Sequence, residues 1–106
     1  MPKIDPAYKM EILYKVLENR DLWLIRTILD NGVDVNLRLK KDRTLLMLAA
    51  HHRHPAMIQE LIKRGAKTDM TDSAGRTAID FAGDDSYLKE LISKLAQRSN
   101  EKPGSI

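Results

Sequence analysis

The chain has no cysteine among its 106 residues, which excludes disulfides, thiolate metal sites and cysteine nucleophiles. That absence fits a reducing compartment. Large aromatics are scarce, with one Trp and one Phe. No run of about 18 apolar residues occurs, so no segment is suited to cross a bilayer. The opening Met1-Pro2-Lys3-Ile4-Asp5-Pro6 lacks the apolar stretch of a secretory signal. We expect a cytoplasmic chain without membrane contact. Also missing are a Ser-His-Asp arrangement, a phosphate-cradling glycine loop and any zinc spacing. Neither catalysis nor a cofactor or metal is expected. What remains, 42% apolar and 31% charged residues, is the balance of one small folded domain with a modest core.

The feature present in place of a chemical motif is repetition. Gly32 and Gly65 lie 33 residues apart, as do Leu13, Leu46 and Ile79 in succession. Arg43-Thr44-Leu45-Leu46 returns as Arg76-Thr77-Ala78-Ile79. A period of this length signals stacked supersecondary units, none able to bury its apolar face alone. Each unit reads as a short helix, a tight turn, a longer helix and a loop. Asp5 is placed to cap the first helix with Pro6 at its first position, and Asp21 to cap the second. Thr44 and Pro55 open the corresponding helices of the second unit, and Gly32 and Gly65 end the second helices, where a left-handed residue is needed. In the third unit Leu88, Leu91 and Ile92 match Ile58, Leu61 and Ile62 at an offset of 30, which predicts an inter-helix turn three residues shorter. Asp84, Asp85 and Ser86 offer its cap.

This reading predicts an all-α chain: a lead over 1–5, units at about 6–36, 37–69 and 70–95, and a frayed or disordered tail over 96–106. Charge is uneven along it. The formal net charge is +3, yet residues 37–67 carry eight basic and two acidic side chains. A basic centre between acidic ends suits an acidic partner. It would also serve a nucleic-acid binder, but the mild net charge, few aromatics and missing motif speak against that.

Thr44-Leu45-Leu46-Met47-Leu48-Ala49-Ala50, followed by Arg53-His54, Ile58, Leu61-Ile62 and Gly65-Ala66, resembles one ankyrin repeat. Asp72-Ser73-Ala74-Gly75-Arg76-Thr77 resembles the opening of a final repeat, and Asn31-Gly32-Val33-Asp34-Val35-Asn36 the exit of a first. Leu45, Met47 and Arg53 stand where the family has Pro, His and Gly, and Asp42 stands where Gly75 stands one unit later. The resemblance covers about residues 6 to 95. It implies a solenoid of helix-turn-helix units with β-hairpin-like loops, and non-catalytic binding of another protein on a face made by loop tips and first helices. It implies contact positions at Lys40, Lys41, Arg43, His51 and His52 in the second unit, at Ser73, Ala74, Arg76, Asp84 and Asp85 in the third, and at Met10, Glu18 and Asn19 in the first. An inhibitor, an immunity protein or an adaptor would fit, as would a structural subunit of a larger repeat assembly. The free chain is expected to be a monomer.

Exposure of the Lys40, Lys41 and Arg43 loop tip follows independently, because a connection between closing helices runs over the surface. His51, His52 and His54 diverge across a helix end and lack a completing ligand, so a pH-sensitive contact through His51 and His52 is a better reading than a metal site. Trp23 is expected to pack against the N-terminal helix, or to anchor a partner in a secondary patch with Leu22, Leu24 and Tyr8. Asp84 and Asp85 point apart and have no accompanying nucleophile.

Overall fold

Three side chains at nearly regular spacing start the second helix of each unit. The Asp21 carboxylate accepts from the Leu24 N–H at 3.0 Å, His54 Nδ1 from the Met57 N–H at 3.4 Å, and the Asp85 carboxylate from the Leu88 N–H at 3.1 Å. Caps of this kind contribute about 1 kcal/mol each. The computed structural model describes residues 6–100, with side chains from Met10 to Arg98. The Asp5 cap, the Tyr8 contribution to a Trp23 patch and residues 101–106 fall outside them.

The helices are α1 (Pro6–Glu18), α2 (Leu22–Asp30), α3 (Leu45–His51), α4 (Pro55–Lys63), α5 (Ala78–Phe81) and α6 (Ser86–Asn100). No strand occurs among the described residues. Within units α1 packs on α2, α3 on α4 and α5 on α6; between units α3 meets α5, while α2 and α6 both meet α4. The result is two layers, first helices in one and second helices in the other. Leu13, Leu46, Ala49, Ala82, Met57 and Leu88 are all buried along the stack. The paired Ala49 and Ala50 are fully buried, which lets neighbouring backbones approach closely.

The first helices of the second and third units open with a threonine box. Thr44 Oγ1 accepts from the Met47 N–H at 3.3 Å, while the Thr44 N–H donates to the Met47 thioether at 3.4 Å. In the next unit Asp80 takes the reciprocal role, accepting from the Thr77 N–H at 2.9 Å. The loops close like hairpins without forming strands: the Leu39 N–H donates to the Arg43 carbonyl at 2.7 Å, and 33 residues later Asp72 does the same to Arg76 at 2.9 Å.

Several expectations require correction. The third unit is shorter by two residues, since its cap sits 31 residues after His54. The loss falls at the end of the first helix: His54 N–H reaches back to the Ala49 carbonyl, whereas Asp85 N–H reaches only to that of Ala82. Helix α5 accordingly spans four residues against seven in α3. At the other end α6 runs to Asn100, past the Leu95 boundary, through the good helix formers Ala96, Gln97 and Arg98. Trp23 is not packed: it is 71% exposed on α2, because Ile25 and Leu29 already face the core on that helix.

Candidate recognition face

The loop before α5 is organised by one buried carboxylate. Asp72 accepts from the backbone N–H groups of Ala74 at 3.0 Å and Arg76 at 2.9 Å, and from Arg76 Nε at 3.1 Å. Its side chain is fully buried, and Arg43 Nε approaches to 3.9 Å from the preceding loop. Donation from the Arg76 amide, above all, holds its pKa below the usual carboxylate value. Asp72 thus braces its own loop, ties it to the preceding one and draws two guanidinium groups together.

Both arginines then lie over Phe81. The guanidinium carbons of Arg43 and Arg76 stand 5.4 and 4.8 Å from its ring centroid, within reach of the cation–π attraction. His51 meets the same ring edge-on at 6.4 Å, and His52 meets His51 edge-on at 5.4 Å. Burial, then the neighbouring His51, lowers the His52 pKa. Three of the expected contact residues, Arg43, Arg76 and His51, therefore gather around one aromatic ring, with His52 behind His51. Lys40 and Lys41 stand exposed on the adjoining tip. That tip is braced from both sides: the Lys40 N–H donates to the Tyr14 hydroxyl at 3.0 Å, and the Lys41 carbonyl accepts from the Ser73 N–H at 2.9 Å. Arg38 adds hydrogen bonds to the Asp42 and Thr71 carbonyls at 2.7 and 2.6 Å.

Other expected contacts have internal roles. Arg43 is half-buried and its Nε has no hydrogen-bond partner, so it serves the Asp72 and Phe81 cluster as much as any ligand. Asp85 spends its carboxylate on the α6 cap, while Asp84 is exposed on the turn beside it. His52 is half-buried, and its carbonyl accepts from Arg20 at 2.8 Å. Ser73, Ala74, Glu18 and Asn19 are exposed, and Met10 is partly covered. The sequence reading missed Phe81, Asp72 and Tyr14 as parts of the face. The single Phe of the chain, following a loop with two basic residues, was the available signal. Among the described residues no three His, Asp or Glu side chains come together to hold a metal, and no helix is long and apolar enough to cross a membrane.

A family model described as ankyrin repeats in three copies matches residues 13–102. The chain is 33% identical to protein fem-1 homolog C of Bos taurus over 82 residues, covering 77% of this chain and 13% of that protein. It is 36% identical to phosphocholine transferase AnkX of Legionella pneumophila over 59 residues, 55% of this chain and 6% of the transferase. Over 41 residues it is 51% identical to the protein LHCP TRANSLOCATION DEFECT of Oryza sativa, 39% of this chain and 24% of the rice protein. The chain thus spans well under a quarter of the length of the first two of these relatives.

Proposed function

Because this chain belongs to the ankyrin-repeat family, whose repeats generally mediate protein–protein interaction, we propose that it is a recognition module for an acidic segment of another protein. The contact face is the one built by the loop tips and first helices of the second and third repeats. The observation that carries this reading is the gathering of Arg43, Arg76 and His51 on Phe81 beside the exposed Lys40 and Lys41. One buried carboxylate answers two guanidinium groups there, so the cluster keeps positive charge for a ligand. A partner carboxylate would meet pre-positioned donors, and Phe81 would supply the apolar contact that interface centres favour.

The simplest mechanism is steric: by occupying a partner's acidic surface the repeats mask it, as an inhibitor would, or hold it for a second protein, as an adaptor would. The test compares capture of partners by the native chain and by the double variant Lys40→Glu, Lys41→Glu, which leaves the Asp72 cluster intact. Bound proteins should be lost from the variant and should elute from the native chain as salt rises. Partners retained equally by both chains would remove this face from consideration.

A further inference from the structure

The back layer of second helices changes character between the second and third repeats. In α4, Glu60 accepts from Arg26 of α2 at 2.9 Å and from Arg64 at 2.6 Å, and Arg64 reaches Asp30 of α2 at 2.6 Å. This network ties the first repeat to the second. By the register of the caps, His54 to Asp85, the positions of Glu60 and Arg64 are taken in α6 by Leu91 and Leu95. Among the described residues the network has no counterpart between α4 and α6. A groove of about 410 Å³ lies there instead, lined by Gln59 and Lys63 from α4 and by Leu91, Lys94, Leu95 and Arg98 from α6.

Tyr87, Leu91 and Leu95 follow one another at intervals of four, a stripe along one side of α6 about 12 Å long. Tyr87 is 61% exposed, and both leucines are only partly covered. Three cations border them, with Glu90 pairing to Lys94 at 3.2 Å across exposed surface, where such a pair contributes little. The groove therefore offers an apolar floor and a cationic rim without the carboxylate that neutralises the same layer one repeat earlier.

From this contrast we infer that the α4–α6 groove is a second docking surface, separate from the loop-tip face, for an amphipathic helix of a partner protein with glutamate or aspartate along its flank. The occupant's apolar residues lie on Leu91 and Leu95, and its carboxylates take the place that Glu60 holds between α2 and α4. A furrow between two helices accepts a helix along its length. A flat anionic bilayer would touch the rims and leave the floor empty.

The experiment titrates the full chain into a fluorescein-labelled 16-residue amphipathic helical peptide with leucines on one face and glutamates beside them. A second peptide keeps the leucines and carries lysines. The glutamate peptide should bind at least tenfold tighter than the lysine peptide. Lys63→Glu with Arg98→Glu should weaken it at least tenfold, and Leu91→Asp should do so even in the native charge background. Leu91→Asp should leave binding of a glutamate peptide without leucines, the ligand of the loop-tip face, within twofold, which separates this surface from the first. The inference is overturned by equal affinity for the two peptides. It is also overturned by weakening confined to the Lys40 and Lys41 variant, by uptake onto phosphatidylserine vesicles that the peptide does not displace, or by binding that appears only when residues 101–106 are removed.

Discussion

Among the described residues two carboxylates, Glu60 and Asp72, are buried, and each faces two arginines, but they do different things. Glu60 stands between Arg26 and Arg64 in the back layer, and Arg64 also meets Asp30. Two carboxylates there meet two guanidinium groups, the charges cancel, and helices from successive repeats are joined. Asp72 on the loop side spends two of its hydrogen bonds on backbone N–H groups. Its arginines keep their excess charge and rest on Phe81. The same ingredients thus make a clamp in one layer and, in the other, the cationic cluster proposed for docking, and the deciding factor is what else the carboxylate holds.

Breaking the clamp should have the largest effect. Glu60→Ala leaves Arg26 and Arg64 without their shared acceptor and should cost roughly 2 kcal/mol, a fall in thermal midpoint of about 10 °C. Calorimetry would check it, and binding at the loop-tip face should survive at temperatures where the variant is folded. Asp72→Ala should show the reverse balance, with a smaller fall in midpoint and a larger loss of affinity for acidic ligands, read by calorimetric titration.

Acid weakens both sites in the same direction. The Glu60 carboxyl titrates below its ordinary value chiefly because Arg64 donates to it, and that of Asp72 chiefly because the Arg76 amide does. A carboxylate whose folded pKa lies below its unfolded one stabilises fully above about pH 5, and that stability drains as pH falls through about 4 and below. Glu60→Gln should therefore flatten the acid limb of a urea-midpoint curve while lowering its plateau. Burial lowers the His52 pKa, so its contribution is present above about pH 6.5 and is lost as pH falls through the lower folded value. His52→Gln should remove that shallower decline.

The smallest predicted change is a gain. Arg53 adopts φ of +55° at the turn between α3 and α4, and Asp42 adopts +60° where Gly75 has +78° one repeat later. Glycine enters this region without a Cβ penalty. Arg53→Gly should raise stability by about 0.5 kcal/mol, measured by denaturant unfolding.

Much of this architecture was legible in the sequence because short-range chemistry writes it: a 33-residue period, Asp21 and Thr44 as caps, and Gly32 and Gly65 at helix ends, with φ of +93° and +96°. The third repeat was misread because Leu88, Leu91, Ile92 and Leu95 fit two registers equally well. Only the Asp85 cap chooses between them. Trp23 misled for a related reason, since a large aromatic predicts burial only when its helix has no better core residues. The contacts that build the loop-tip face were out of reach. Arg43 finds Asp72 across 29 positions and Phe81 across 38, and no local pattern encodes such pairings. Charge distribution did mark Lys40, Lys41 and Arg43 within a basic stretch, and the ankyrin resemblance added Arg76, but neither could show that one aromatic ring collects both arginines.

Recognition of acidic polypeptide, as proposed, runs through the Phe81 cluster and the neighbouring lysines. The most direct measurement is an NMR titration of the native chain with a glutamate-rich peptide free of leucine, following backbone amide and side-chain signals. Shifts should concentrate at Lys40, Lys41, His51, Arg76 and the Phe81 ring and shrink as salt is added. Shifts centred on Arg26, Glu60 and Arg64, or none at millimolar peptide in low salt, would contradict that recognition.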